Sequence, residues 1–263
     1  MHSINLWGRR LVERLPVRVY AVHFDGLRIS GGMENRYHLY HIAASQMEPF
    51  MSALFQAAVK PGMVVLDIGA HLGYYTLLAA KAGATVYAFE PDPRNFQHLI
   101  RNIALNGDVR CVTAVPRAVS DKSGTARLRV SDNPRNSNLF DSDGTRTAVV
   151  EQVCLDEFLD ETVTVDVVKM DIEGAELRAL TGMERTLARA RSSLTLFVEC
   201  SHQRLLAAGG SAEALIDRLT ELGFTVASID EQHRLLTPIP ANIESLPYVN
   251  LYCTRGPITA LGG

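Results

Sequence analysis

The chain has 263 residues, 47% of them hydrophobic and 21% charged, with a formal net charge of -3. This is globular composition: no apolar run approaches the ~18 residues that cross a bilayer, and the charge balance argues against a broadly basic nucleic-acid face. Cys111, Cys154, Cys200 and Cys253 are scattered without a C-x-x-C pair, which suits neither zinc nor a disulfide framework and fits a reducing cytoplasm.

The N-terminal stretch MHSINLWGRRLVERLPVRV lacks the apolar core and cleavage site of a secretory signal. Leu6, Trp7, Leu11 and Leu15 share one helical face, suited to docking on a core. Val17 to Phe24 and Leu27 to Ser30 are strand-like runs joined by Asp25-Gly26, a pair that suits a tight hairpin turn. Residues 1–46 thus read as a helix and hairpin cap. Met47 to Val59 has a helical pattern that Pro61-Gly62 breaks.

From there the alternation is regular. A strand at Val64 to Ile68, a helix at Gly73 to Ala82, a strand at Thr85 to Phe89, a helix at Arg94 to Asn106 and a strand at Val109 to Val115 follow in turn. Two more units pair Val165 to Met170 with Gly174 to Leu180, and Leu194 to Glu199 with Ala212 to Leu222. Strands interleaved with helices predict an α/β fold with a mostly parallel sheet covered on both faces. Thr225 to Ile229 and Tyr248 to Thr254 close the chain as an antiparallel pair. Between Pro116 and Gln152 the rhythm breaks into a strand region around Gly124 and a polar loop, SDNPRNSNLFDSDGTRT, which reads as a lid or a mobile insertion.

The segment from Val64 to Pro91 carries the chemistry. Asp67-Ile68-Gly69-Ala70-His71-Leu72-Gly73 has glycines at i and i+4, whereas a dinucleotide site uses G-x-G-x-x-G. Gly69 permits a sharp turn at the strand's end, and Gly73 permits close approach at the helix start by a ligand bulkier than a pyrophosphate. S-adenosyl-L-methionine fits: Asp67 faces its cationic end while exposed amides near Gly69 and Gly73 meet its carboxylate. Glu90 stands 21 positions after Gly69, close to the interval at which an acid meets ribose hydroxyls, and Pro91 stiffens the exit. Ala70, Tyr74 and Ala118 join the expected cofactor contacts. His71 either touches the methionyl part through its backbone or is a tolerated loop residue.

These residues resemble motif I and its following acid in the class I S-adenosylmethionine-dependent methyltransferases, and more narrowly the FkbM family. Val168 to Glu176, VKMDIEGAE, is similar to that family's signature, as are VCLDEF, Val153 to Phe158, and FVECSH, Phe197 to His202. The resemblance runs roughly from Met47 to Thr254 and divides the chain into the cap, 1–46, and a methyltransferase domain, 47–263. It implies a seven-stranded Rossmann-like sheet of order 3-2-1-4-5-7-6 with one antiparallel strand. His71 departs from it, standing where the family often has asparagine.

Reacting groups in such a sheet belong at the carboxyl ends of the strands. Asp171 is expected at the methyl-transfer centre, orienting an acceptor hydroxyl or holding the cofactor's cationic end. Glu173, Glu199 and His202 are candidate proton acceptors. Lys169 points into the sheet face, where its ammonium needs a carboxylate partner. Asp171, Glu199 and a loop acid have the chemistry to hold magnesium, although a metal-free site explains them as well and is preferred.

The reading is O-methylation of a hydroxyl on a small molecule, natural product or sugar, with the oligomeric state left open. An NAD-dependent oxidoreductase lacks its glycine pattern here. A nucleic-acid methyltransferase is disfavoured because Asn133-Pro134 lies in the polar loop and not after the fourth core strand. A binding protein retaining a silent cofactor pocket is the non-enzyme alternative.

Overall fold

The computed structural model describes residues 20–107, 110–130 and 146–258. The expected N-terminal helix, and all but the end of the polar loop 131–147, lie outside them. A hairpin comes first, β1 (Tyr20–Phe24) and β2 (Leu27–Gly31), turned through Asp25 and Gly26, both at positive φ. Helix α1 (Arg36–Ala43) and helix α2 (Pro49–Ala58) lead to the main sheet. Proline opens α2, where its missing N–H is harmless.

The sheet is built from β3 (Val64–Ile68), α3 (Tyr74–Lys81), β4 (Thr85–Phe89), α4 (Pro93–Leu105) and β5 (Val112–Val115). The chain then makes β6 (Arg117–Val119), β7 (Gly124–Val130), β8 (Arg146–Val153) and the short α5 (Leu155–Phe158). It returns with β9 (Val167–Met170), α6 (Glu176–Thr181), α7 (Glu184–Arg189) and β10 (Thr195–Cys200). Helices α8 (His202–Ala207) and α9 (Ala212–Glu221) precede β11 (Thr225–Asp230), β12 (Leu235–Thr237) and β13 (Val249–Thr254).

The eight strands run β12-β11-β13-β10-β9-β3-β4-β5, with β13 antiparallel to both neighbours. Numbered along the seven core strands this is 3-2-1-4-5-7-6, and β12 is an added antiparallel edge. The region that broke the rhythm forms its own three-stranded sheet, β6-β8-β7.

Burial explains the strand sequences. All four residues of β9 are buried because helices cover both faces of a parallel sheet. Val168 and Met170 join a core with Leu66, Ile68 and Leu196, while Val167 joins a second core on the other face with Val65, Phe55 and Phe197. Alternation puts Lys169 on that second face, beside Asp67 across the β3–β9 ladder. No helix among the described residues is long and apolar enough to cross a membrane.

The cap docks through one buried amide. Asn102 of α4 accepts the Ser30 N–H and hydroxyl at 2.8 and 2.7 Å, and donates to the carbonyls of Ser30 and Leu72 at 2.9 and 2.8 Å. It thereby ties the hairpin to the Gly69–Gly73 loop. Asn102→Ala leaves these buried groups without partners, so urea denaturation is expected to show a loss of about 3 kcal/mol.

Candidate active site

A cavity of about 620 Å³ opens at the carboxyl ends of β3, β4, β9 and β10. Of the expected residues, Asp67, Gly69, Ala70, His71, Tyr74, Glu90, Pro91, Ala118, Asp171, Glu173 and Glu199 line it.

Glu90 leaves β4 with only 5% of its surface exposed, and both of its oxygens are aimed. The His71 N–H donates to one and the Asp92 N–H to the other, each at 2.8 Å. Burial nevertheless dominates and pushes its pKa up to about 7, against those two amide bonds. Asp67, 2% exposed, accepts from the Thr76 hydroxyl. Burial lifts it to about 6, with Thr76 and the nearby Lys169 holding it down.

The glycine turn works differently from the expectation. The Gly69 and Ala70 amides both donate to Phe89 O at 2.9 Å, and the Gly73 amide donates to Ala70 O at 2.7 Å. They hold the turn together and are not open to a ligand. Gly73 does not line the cavity at all: a Cβ there would stand 2.7 Å from Leu99 Cδ1, so the room it leaves is filled by α4. Gly69 sits at φ +87°, and its missing Cβ would stand 1.9 Å from Asp171 O, so it lets the loop press against the end of β9.

His71 adopts φ 51°, a conformation that asparagine and histidine tolerate better than most side chains. Its backbone serves Glu90, while its ring turns to the cap, 3.4 Å from the Asn35 amide and tilted at 53° against the His38 ring, centroids 4.6 Å apart. Burial, then His38 and His98, holds its pKa well below the ordinary value. Tyr74 and Tyr75 both reach the cavity: the Tyr74 ring stacks on Phe24, and the Tyr75 hydroxyl donates to Glu48 at 2.8 Å.

Across the cavity, Lys169 is buried, with Nζ 3.4 Å from Asp171 Oδ2 and 5.3 Å from the Tyr75 ring centre. Burial alone would lower its pKa, but Asp171, with Glu48, Glu199 and Asp67 around it, lifts it above the ordinary value. The ammonium is therefore a fixed charge. Glu199 is pushed well above the carboxylate range, first by burial and then by Asp171, against the pull of Lys169. Glu176 is lifted to about 7 by burial, although the Ile172 and Gly174 amides donate to it and it closes that turn.

Carboxylate oxygens of Asp171, Glu173 and Glu199 lie within 4.8 Å of one another. Arg204 of α8 enters this cluster, paired with Glu173 and 3.8 Å from Glu199. His202 is not part of it. Its ring is 7% exposed and outside the cavity, with Nδ1 3.3 Å from the donating Ala212 N–H and 4.0 Å from Glu244. Helix α8 begins at His202 and turns its side chain toward the start of α9, away from the strand ends.

Glu48, Asn95, Arg204 and Tyr248 also line the cavity, beyond the residues expected from sequence. Glu48 is held at φ 41°, and its second oxygen accepts from the Asn250 amide at 2.6 Å. Its position directly before Pro49 marks a helix start and carries no signal of a site.

The strand order and the acid-tipped edge around this cavity define the class I methyltransferase fold. The chain belongs to the FkbM methyltransferase family, whose domain matches residues 67–226. It is 29% identical over 182 residues to the methyltransferase sdnD of Sordaria araneosa, covering 56% of this chain and 65% of that protein. The 2-O-methyltransferase NoeI of Sinorhizobium fredii is 26% identical over 181 residues, covering 61% of this chain and 72% of NoeI. The hexuronic acid methyltransferase AglP of Haloferax volcanii is 29% identical over 129 residues, covering 47% of this chain and 51% of AglP.

Proposed function

We propose that this protein methylates a hydroxyl group on a small molecule or sugar, using S-adenosylmethionine. The observation that carries the reading is the pair of buried acids at adjacent strand ends, Asp67 and Glu90, facing one cavity that also holds the Lys169–Asp171 pair. The names of NoeI and AglP support oxygen acceptors and sugar acids for those relatives, and FkbM family membership supports the donor.

The donor set fits the cofactor chemically. Glu90, with each oxygen already aimed by one amide, has acceptor capacity left for two vicinal ribose hydroxyls, and Asp67 offers a carboxylate to an ammonium. When bound, S-adenosylmethionine supplies an electrophilic methyl group whose carbon–sulfur bond breaks as the acceptor oxygen attacks in line. Asp171 accepts the hydroxyl proton, and Lys169 fixes the carboxylate toward the cavity. Burial and then Asp171 shift Glu199 toward its protonated form, in which it acts as a hydrogen-bond donor or acceptor. In the proposed metal-free centre Arg204 supplies the positive charge that balances Glu173, with Glu199 3.8 Å from it. No role is assigned to His202.

Titration tests the donor site. Because ribose and ammonium groups favour the ionised forms of Glu90 and Asp67, binding releases protons and affinity rises with pH. With pKa values of about 7 and about 6, S-adenosylhomocysteine is expected to bind about twentyfold more weakly at pH 6 than at pH 8. Calorimetry in buffers of different ionisation enthalpy reads the proton release directly. NAD is expected not to bind; tight NAD binding without S-adenosylhomocysteine binding overturns the assignment. The same raised values mean that the folded apo protein holds protons the unfolded chain has lost between about pH 4 and pH 7. These groups therefore make the apo protein less stable as pH rises through that window.

A further inference from the structure

We infer that the cap segment from Tyr37 to Glu48, together with Tyr248, forms the acceptor subsite, and that this subsite takes an uncharged polyhydroxyl compound and rejects carboxylate- or phosphate-bearing ones. The inference rests on the methyl-transfer reading and adds the chemical class of the acceptor.

Three observations carry it. The cavity continues past the Lys169–Asp171 pair to a mouth between α1 and the turn before β13, where Tyr37 and Tyr248 line it and remain 45% and 51% exposed. The half-exposed Tyr248 ring offers a platform for the apolar face of a ring compound, and the Tyr37 ring, 4.1 Å from His41, borders it. Beneath them, Glu48 is clamped from both sides by the Tyr75 hydroxyl and the Asn250 amide, which holds a strained backbone and leaves its carboxylate fixed as an acceptor of hydroxyl hydrogens.

The charges set the selectivity. Among the described residues on this side of the cavity, Glu48, Asp171, Glu173 and Glu231, with Glu199 shifted toward its protonated form, stand against Lys169 and Arg204, and the imidazoles of His38 and His41 line the same side. Both cations are already matched, Lys169 by Asp171 and Arg204 by Glu173. Glu231 is turned to the start of α2, accepting the Phe50 and Met51 amides at 2.8 Å. An anionic acceptor therefore meets more acids than cations among the described residues, and Lys169 and Arg204 are both already paired. A neutral polyol meets acceptors for its hydroxyls. The raised Glu199, driven by burial and then by Asp171, reflects the same negative surroundings.

The test compares matched rings: methyl glycosides of glucose, galactose and fucose, and the uronic acid forms of the first two. Methyl transfer is followed by S-adenosylhomocysteine release. Neutral glycosides are expected to be methylated, with kcat/KM for the uronic acids lower by about tenfold or more. Glu48→Gln is expected to narrow that gap, and Tyr248→Ala to raise KM for neutral glycosides, both with S-adenosylhomocysteine affinity retained. Uronic acids used as well as neutral rings, or no glycoside used by a protein that binds S-adenosylhomocysteine, would overturn the inference. A wild-type protein that fails to bind S-adenosylhomocysteine would instead overturn the donor reading beneath it.

Discussion

Replacing Asp171 by asparagine is expected to lower turnover by about a hundredfold or more while S-adenosylhomocysteine affinity stays within about twofold. General-base catalysis contributes roughly 10²–10⁴-fold, and an amide of the same shape cannot take the proton. The other acids near the centre cannot substitute. Glu173 is engaged by Arg204, and Glu199 is shifted toward its protonated form by burial and then by Asp171. Glu199→Gln keeps the shape and hydrogen-bonding capacity of the protonated acid and is expected to change turnover by no more than about threefold. The two carboxamide variants, equal in the kind of change and adjacent in space, separate proton acceptance from simple polarity. A hundredfold loss in Glu199→Gln with Asp171→Asn unaffected would exchange their roles.

The proposed donor half of this site was legible because its signals are local. A strand ending in Asp67, a turn at Gly69 and a strand ending in Glu90 occupy 24 consecutive residues, and parallel pairing of β3 and β4 brings the two acids to one edge. The core strand order followed from the family resemblance in the same way. What the pattern did not carry is where each loop amide is spent. The bond from Gly69 and Ala70 to Phe89 O joins two strand ends, and the place of Leu99 over Gly73 depends on how α4 packs.

The proposed acceptor half depends on still longer reach. Glu48 meets Asn250 from 202 residues away, and Arg204 meets Glu173 only because α8 folds back over the β9 turn. His202 illustrates the converse. It follows β10 as closely as a strand-end residue should, yet the immediate start of α8 points it out of the cavity. Position along a strand predicts the edge a residue reaches, while the next element's axis decides which way its side chain turns.

Gly69→Ala is expected to be the most damaging single-methyl change in the protein, destabilising it by about 3 kcal/mol or more and weakening S-adenosylhomocysteine binding at least about a hundredfold. Two penalties combine there. At φ +87° an L side chain is strained by itself, and the added Cβ would stand 1.9 Å from Asp171 O and 3.1 Å from Ile172 Cγ2. The obstacle is backbone, so relief requires the Gly69 loop or the end of β9 to move. The loop carries the His71 amide that aims Glu90, and the end of β9 carries Asp171. Either movement disorganises the site. Gly107→Ala provides the control, because Gly107 has φ +82° and nothing within 4 Å of its would-be Cβ. It is expected to cost only about 1 kcal/mol from backbone strain, with S-adenosylhomocysteine affinity unchanged. Urea denaturation and calorimetry on the two variants separate dihedral strain from close approach. Equal losses would show that contact between the loop and β9 adds nothing, whereas the expected gap measures how far the donor turn and the reacting edge are held as one rigid piece.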